Sequence, residues 1–200
     1  MNFSRRKFLK VGGSSAALLA AVGCDQLPRE LRLLYSPQKN GGPFQPPTAE
    51  SIDPIIHALN RIAFGPRPGD YERARKLAPT PEQAAAAYVE QQLKPEELDD
   101  YAAEYAVRRF ETLNEPLGEL FEYQDELLHN ELMRGTLTRA VLSERQLFEV
   151  MVQFWSDHFN VDPSKGDCKW LKVADDREVI RKHALGKFPN LLRASALSPV

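Results

Sequence analysis

From Ile52 onward, apolar residues return every three or four positions, and Pro or Gly interrupts the pattern at short intervals. That period matches a helical turn and not the alternation of a half-buried strand. No alternating run carries a hairpin turn signal, and no repeat period is visible. The expectation is an all-α, multi-helix bundle-like domain over residues 52–200. Ile52, Ile55, Ile56, Leu59, Ile62 and Ala63 mark one face of a first helix, which Gly65-Pro66-Arg67-Pro68-Gly69 ends. Asp70 is placed to cap a short second helix to about Ala78. Thr80-Pro81-Glu82-Gln83 joins a capping Thr, a Pro at the first helical position and a Gln two residues later, starting a third helix to about Leu93. Pro95 opens a fourth to about Leu113, and Pro116 a fifth to about Arg134, closed by Gly135. Ser143-Glu144-Arg145-Gln146 reads as another capping box, with Leu142 and Leu147 as its hydrophobic staple, leading a helix to about Asn160. Asp175-Asp176-Arg177-Glu178 starts the next, Gly186 stops it, and Phe188-Pro189 opens the last.

Composition narrows the function classes. The 200 residues carry 26 Lys+Arg against 28 Asp+Glu, without the clustered basic surface of a nucleic-acid binder. A hydrophobic fraction of 42% and ten Phe are too core-rich for wholesale disorder. No run reaches the ~18 apolar residues of a membrane span. Two Cys exclude a disulfide scaffold and a four-thiolate zinc site.

The first 24 residues read as an address and not as a fold element. Arg5, Arg6, Lys7 and Lys10 form a charged start with no acid, and Val11 to Val22 follows as a short, weakly apolar stretch. Ser4-Arg5-Arg6-Lys7-Phe8-Leu9-Lys10 resembles the twin-arginine export signal of bacteria, which implies export in the folded state through the twin-arginine machinery. The alternative is an ordinary secretory signal that carries two Arg. Ala21-Val22-Gly23-Cys24 resembles a lipobox, in which Cys24 becomes the first mature residue and carries lipid, although Ala21 stands where Leu is usual. Plain cleavage after Gly23, leaving a free thiol, is the alternative. A lipoprotein's several acyl chains would meet the two-signal requirement for stable anchoring. Asp25 resembles the inner-membrane retention signal of some lipoproteins. Subtracting the four basic residues of this segment leaves a mature chain near −6, suited to solubility. With Cys24 acylated, Cys168 has no intrachain partner. Residues 25–51 form a Pro/Gly-rich linker, including SPQKNGGPFQPPTAES. They read as a semi-extended spacer or, alternatively, a strap packed on the body by Phe44.

Four His are present. His158 falls within the stripe of Leu147, Phe148, Met151, Phe154, Trp155 and Phe159, so its imidazole is expected to face inward beside Trp155, with Glu149, Gln153 and Asp157 on the opposite face. It is then either a ligand or acid/base group in an aromatic pocket, or a core His paired for structural reasons. Glu126-Leu127-Leu128-His129 has the Glu-x-x-His spacing of di-iron bundles, but such a site needs a second copy and two further inward Glu, so no metal is expected. His183, near Arg181 and Lys182, forms a cationic rim that could take an anion or simply complement a helix C-terminus. His57 lies at the rim of its helix face. Val161 to Ala174, between Trp155 and Trp170, reads as a loop long enough to bind or to close over a ligand. No nucleophile elbow, dinucleotide fingerprint or phosphate loop occurs.

Three segments together resemble one family. They are His57-Ala58-Leu59-Asn60-Arg61-Ile62-Ala63-Phe64-Gly65-Pro66-Arg67-Pro68-Gly69-Asp70; Ser143-Glu144-Arg145-Gln146-Leu147 leading to Phe154-Trp155-Ser156-Asp157-His158-Phe159-Asn160-Val161; and Ile180-Arg181-Lys182-His183-Ala184-Leu185-Gly186-Lys187-Phe188. In this order they resemble the domain-of-unknown-function family 1800 (DUF1800), helical bacterial proteins that often bear export signals. Arg61, Gly65, Trp155, His158, Arg181 and His183 map onto its motifs. The resemblance implies no established activity or cofactor. It also implies a longer chain, because family members continue past the equivalent of Ser198-Pro199 and this sequence would be their N-terminal part. The expected function is an exported, lipid-anchored envelope binding or assembly module on the periplasmic side, with Trp155, His158, Arg181 and His183 as candidate binding residues. The alternative is a metal- or cofactor-dependent periplasmic enzyme whose site is completed beyond Val200.

Overall fold

Asp53 starts the first helix. Its Oδ1 accepts the N–H groups of Ile55 at 2.8 Å and Ile56 at 3.2 Å, and Pro54 occupies the first helical position, where its missing N–H costs nothing. A computed structural model describes residues 52–199. The export signal with Arg5 and Arg6, the lipobox with Cys24, and the linker 25–51 lie outside the described residues. Those described belong to one compact unit, Pro47–Val200.

The described elements are helical, as expected. Helices α1 (Pro54–Ile62), α2 (Asp70–Arg75) and α3 (Pro81–Gln92) are followed by α4 (Tyr101–Val107), α5 (Asp125–Leu142) and α6 (Gln146–Phe159). Helix α7 begins at Cys168–Ala174, passes through a π-helical stretch, Asp175–Ile180, and ends at Arg181–His183; α8 is Phe188–Ala196. Thr80 caps α3 as its sequence implies, its Oγ1 accepting the Gln83 N–H at 3.3 Å.

Three apolar clusters hold these elements. Ile55 and Leu59 of α1 pack on Ala84, Ala85 and Tyr88 of α3, with Ala74 of α2 closing the group. The small Ala face of α3 lets both neighbours approach closely. A second cluster joins Val107, Phe110, Leu113 and Leu120 to Leu128 of α5 and to Val173 and Ala174 of α7. The third places Val152 of α6 against Val179, Ile180 and Ala184 of α7 and Leu191 of α8. Full burial of each Leu or Ile contributes about 1.5–3 kcal/mol.

Several boundaries depart from the sequence reading. The helix expected from Pro95 to Leu113 is three pieces: a 3-10 turn at Pro95–Glu97, α4, and a 3-10 turn at Glu111–Leu113. The break follows from distant partners. Leu98 is extended, and its carbonyl accepts the Arg145 guanidinium at 3.3 and 3.1 Å, while Asp100 takes the Ser143 hydroxyl and the Glu144 N–H. The helix expected from Pro116 is likewise a 3-10 turn, Glu119–Glu122, followed by α5.

Gly135 does not close α5 but lies inside it. A Cβ there would fall 2.5 Å from Leu113 Cδ1, so the glycine is required by the close approach of the Glu111–Leu113 turn. Asp70 is the first residue of α2 and not its cap; Gly69 holds that position at φ 87°, a left-handed conformation that suits glycine. Helix α2 ends at Arg75, before the expected Ala78. Helix α7 begins at Cys168, seven residues before the expected Asp175, so the 161–174 loop shrinks to 161–167 and Trp170 is helical. Asn160, in the left-handed region at φ 39°, ends α6 where expected.

Candidate functional site

The connector between α5 and α6 is where the sequence and the structure differ most. Ser143-Glu144-Arg145-Gln146 forms no capping box. The Ser143 hydroxyl donates to Asp100 at 3.0 Å and accepts the Arg145 N–H at 3.0 Å. The Gln146 side chain does not turn back to Ser143 N–H. It accepts the Phe64 N–H at 3.2 Å and donates to the carbonyls of Ala140 and Ser143. Gln92 completes the knot by donating to Glu144 O at 2.9 Å and accepting the Leu147 N–H at 3.1 Å. A buried amide that satisfies both its ends in this way fixes the register between segments far apart in sequence.

Beside this knot lies a cleft of about 310 Å³ among α2, α3, the Leu98–Asp99 segment and Glu144. Arg67 reaches it from the turn before α2. Its guanidinium donates to Asp70 and to the carbonyls of Val141 and Ser143, and pairs with Glu144 at 3.3 Å. Burial alone would lower the Arg67 pKa, yet the Asp70 carboxylate raises it. Arg73 bonds Asp70 as well and lies 3.5 Å from the second Glu144 oxygen. The paired cations and carboxylates form a lattice around a phenol. Tyr88 is only 9% exposed, and burial followed by the Asp70 charge pushes its pKa up to about 12. Its hydroxyl makes no hydrogen bond to a described residue, and the charges that bear on it are those of Arg67, Asp70, Arg73 and Glu144. Sequence reasoning missed Tyr88, Arg67 and Gln92. For Tyr88 and Gln92 the signal was a polar or amphipathic side chain on an Ala-rich helix, and Arg67 stood in the 65–69 turn within the first family-like segment.

None of the four sequence candidates lines the cleft beside the knot. His158 is exposed, which corrects the inward placement. It rests among the rings of Phe154, Trp155 and Phe159 at 5.2–6.1 Å between centroids. Glu149, expected on the solvent face, is the buried one at 5% exposed. The reason is that α6 is packed on two sides, and the Gln146, Glu149 and Val152 stripe faces protein. Trp155 donates its indole N–H to Ala184 O at 2.9 Å, tying α6 to the end of α7. Arg181 is not an open cationic rim. It grips both Glu149 oxygens at 3.0 and 2.7 Å and Asp176 at 2.9 Å. Burial opposes its charge, but these carboxylates hold its pKa well above the usual range. The Asp176–Arg181 contact needs the π-helical turn, whose i→i+5 bonding stacks residues five apart. His183 is half-buried, and its carbonyl accepts the Gly186 N–H at 2.9 Å.

Glu126 and His129 are both exposed and flank the buried Leu128. His57 is exposed on α1. Cys168 is a free thiol. Among the described residues no group of three or more His, Cys, Asp and Glu is placed to hold a metal ion, and no helix is long and apolar enough to cross a membrane.

The sequence profile of the family described as "Protein of unknown function (DUF1800)" matches residues 57–200. The chain belongs to the DUF1800 family. The match runs from within α1 through α8, so the cleft, the Gln92–Gln146 knot and the Glu149–Arg181 pair are all parts of the DUF1800 domain. No curated protein and no solved structure matches this chain significantly.

Proposed function

We propose that this DUF1800 chain is an exported, lipid-anchored binding module of the bacterial envelope, held by its Pro/Gly-rich linker on the periplasmic side of the membrane. The adjacent guanidinium groups of Arg5 and Arg6 and the Ala21-Val22-Gly23-Cys24 segment support the delivery half of this reading. The binding half rests on one observation: the Tyr88 hydroxyl bonds no described residue and opens onto a cleft that it helps to line, among the paired charges of Arg67, Asp70, Arg73 and Glu144. A hydroxyl both donates and accepts, so a phenol that no described residue satisfies, set among fixed charges in a cleft, offers a ligand a directional contact. The cleft is at the small end of the range for ligand pockets, about 300–1,000 Å³.

Two measurements test the reading. In a bacterial host, replacing Arg5 and Arg6 by Lys is expected to stop export, and Cys24→Ser to move the protein from the membrane to the soluble periplasmic fraction. Unchanged distribution in both variants would overturn the delivery half. A small-molecule fragment screen read by backbone amide shifts is expected to perturb Tyr88, Gln91 and Leu98. Shifts confined to the Trp155–His158 surface, or no shifts at all, would overturn the binding half.

A further inference from the structure

We infer that the cleft takes a short zwitterionic peptide, its carboxylate toward α2 and its ammonium toward Asp99. The inference rests on the reading that this cleft is the binding surface, and it adds the ligand class. The α2 side brings Arg73, which is 54% exposed, and Lys76. Asp70 on the same side is consumed by Arg67 and Arg73, so what α2 offers a ligand is positive. The open carboxylate comes from elsewhere: Asp99, from the segment before α4, since both oxygens of Glu144 already face Arg67 and Arg73. Lys76 makes no ion pair with a described residue, and one Asp99 oxygen is occupied by the Tyr101 N–H at 3.0 Å, leaving the other to accept. A ligand of one sign would meet repulsion from one of these sides. A dipolar ligand complements both, and complementarity of this kind fixes orientation.

The floor indicates what lies between the two charges. Helix α3 supplies the Tyr88 hydroxyl, which bonds no described residue, and the exposed Gln91 amide. A hydroxyl and a primary amide each both donate and accept, which matches a peptide bond with its one N–H and one C=O. Gln92 is not available, because both ends of its amide are bound within the knot. Leu77, 41% exposed, and Leu98 add apolar surface for side chains. A free amino acid has the terminal charges but no peptide bond to set against Tyr88 and Gln91.

The test is calorimetric titration of the full chain, in mild detergent, with L-alanyl-L-alanine, its N-acetyl form, its C-terminal amide, free alanine and inorganic phosphate. The dipeptide is expected to bind. Each blocked form should bind about tenfold more weakly, because one charge-assisted hydrogen bond is lost. Free alanine and phosphate should bind more weakly still. Tyr88→Phe should weaken the dipeptide several-fold with an unchanged circular dichroism spectrum. Lys76→Gln should weaken the free dipeptide but not the amide, since each change removes the same contact. Equal affinity for free and blocked peptides would sink the proposal, as would binding of phosphate alone or an amide penalty that persists in Lys76→Gln. If the dipeptide does not bind while fragments still shift Tyr88, the peptide assignment fails and the binding-module reading stands. If nothing shifts the cleft, both fail.

Discussion

Glu149 and Arg181, thirty-two residues apart, meet through two parallel hydrogen bonds of 3.0 and 2.7 Å, oxygen by oxygen and nitrogen by nitrogen. Neither side chain has much water around it, at 5% and 13% exposed. Asp176 adds a third bond to the same guanidinium, and the Phe148 ring lies 5.9 Å from its carbon. Arg139 lies within electrostatic reach of the group, and burial followed by the Arg181 charge lowers its pKa. The pair joins α6 to the π-helical part of α7 and sets the angle at which the third apolar cluster closes.

Removing one partner leaves the other buried and charged. Glu149→Ala is expected to destabilise the domain by about 3–5 kcal/mol. Its melting temperature should fall by ten degrees or so, since about 2–4 °C accompanies each kcal/mol at this chain length. Glu149→Ala combined with Arg181→Met should cost much less than the sum of the single changes. Additive losses in a thermal double-mutant cycle would show that the pair is not coupled.

Tyr88 gives a prediction at high pH. Its pKa is raised to about 12 from 10.0, so the folded state favours the neutral phenol. That contribution is complete below about pH 10 and is lost as pH rises toward 12. It amounts to at most about 2–3 kcal/mol, from 1.36 kcal/mol per unit. The Tyr71 and Tyr123 phenols are also raised, by the Asp53 hydrogen bond and by burial, so ultraviolet titration of tyrosinate should show a late-ionising component that loses one tyrosine's amplitude in Tyr88→Phe. An unchanged titration curve in that variant would contradict the placement of the phenol.

Gly135→Ala sets two effects against each other. Helix propensity favours Ala by up to about 1 kcal/mol. The new Cβ would lie 2.5 Å from Leu113 Cδ1, and Leu113 is itself buried. Overpacking of this kind costs about 1–3 kcal/mol, so net destabilisation is expected in chemical denaturation. Adding Leu113→Ala should make Gly135→Ala neutral or stabilising. A gain in stability from Gly135→Ala alone would rule out the close contact.

The Gln146 amide is buried with three partners. Gln146→Leu should cost about 1–3 kcal/mol per orphaned buried group, with Phe64 N–H the clearest. Amide hydrogen exchange at Phe64 should accelerate sharply. By contrast, His158→Ala should alter stability by no more than about 0.5 kcal/mol, the usual range for an exposed position. A loss of several kcal/mol on His158→Ala would restore the inward placement.

What the sequence determined by itself is the helical class and those helix ends that depend on neighbours within one turn. Thr80-Pro81 starts α3, Asn160 ends α6 and Phe188-Pro189 starts α8 because a cap or a fixed φ acts across three or four residues. Tertiary structure decided the rest. Asp100 and Leu98 break the Pro95 helix because their partners lie forty-four and forty-seven residues away. Gly135 stays helical because Leu113 needs its space, and α7 opens into a π-turn that brings Asp176 to Arg181. Helical periodicity finds one apolar face, but α6 is packed on two. Glu149 therefore went inward and His158 outward, and the cleft around Tyr88 was assembled from segments that share no local pattern. Local bonds are written in adjacent residues. The side chain that a buried charge or a missing Cβ must meet is fixed only when distant helices pack.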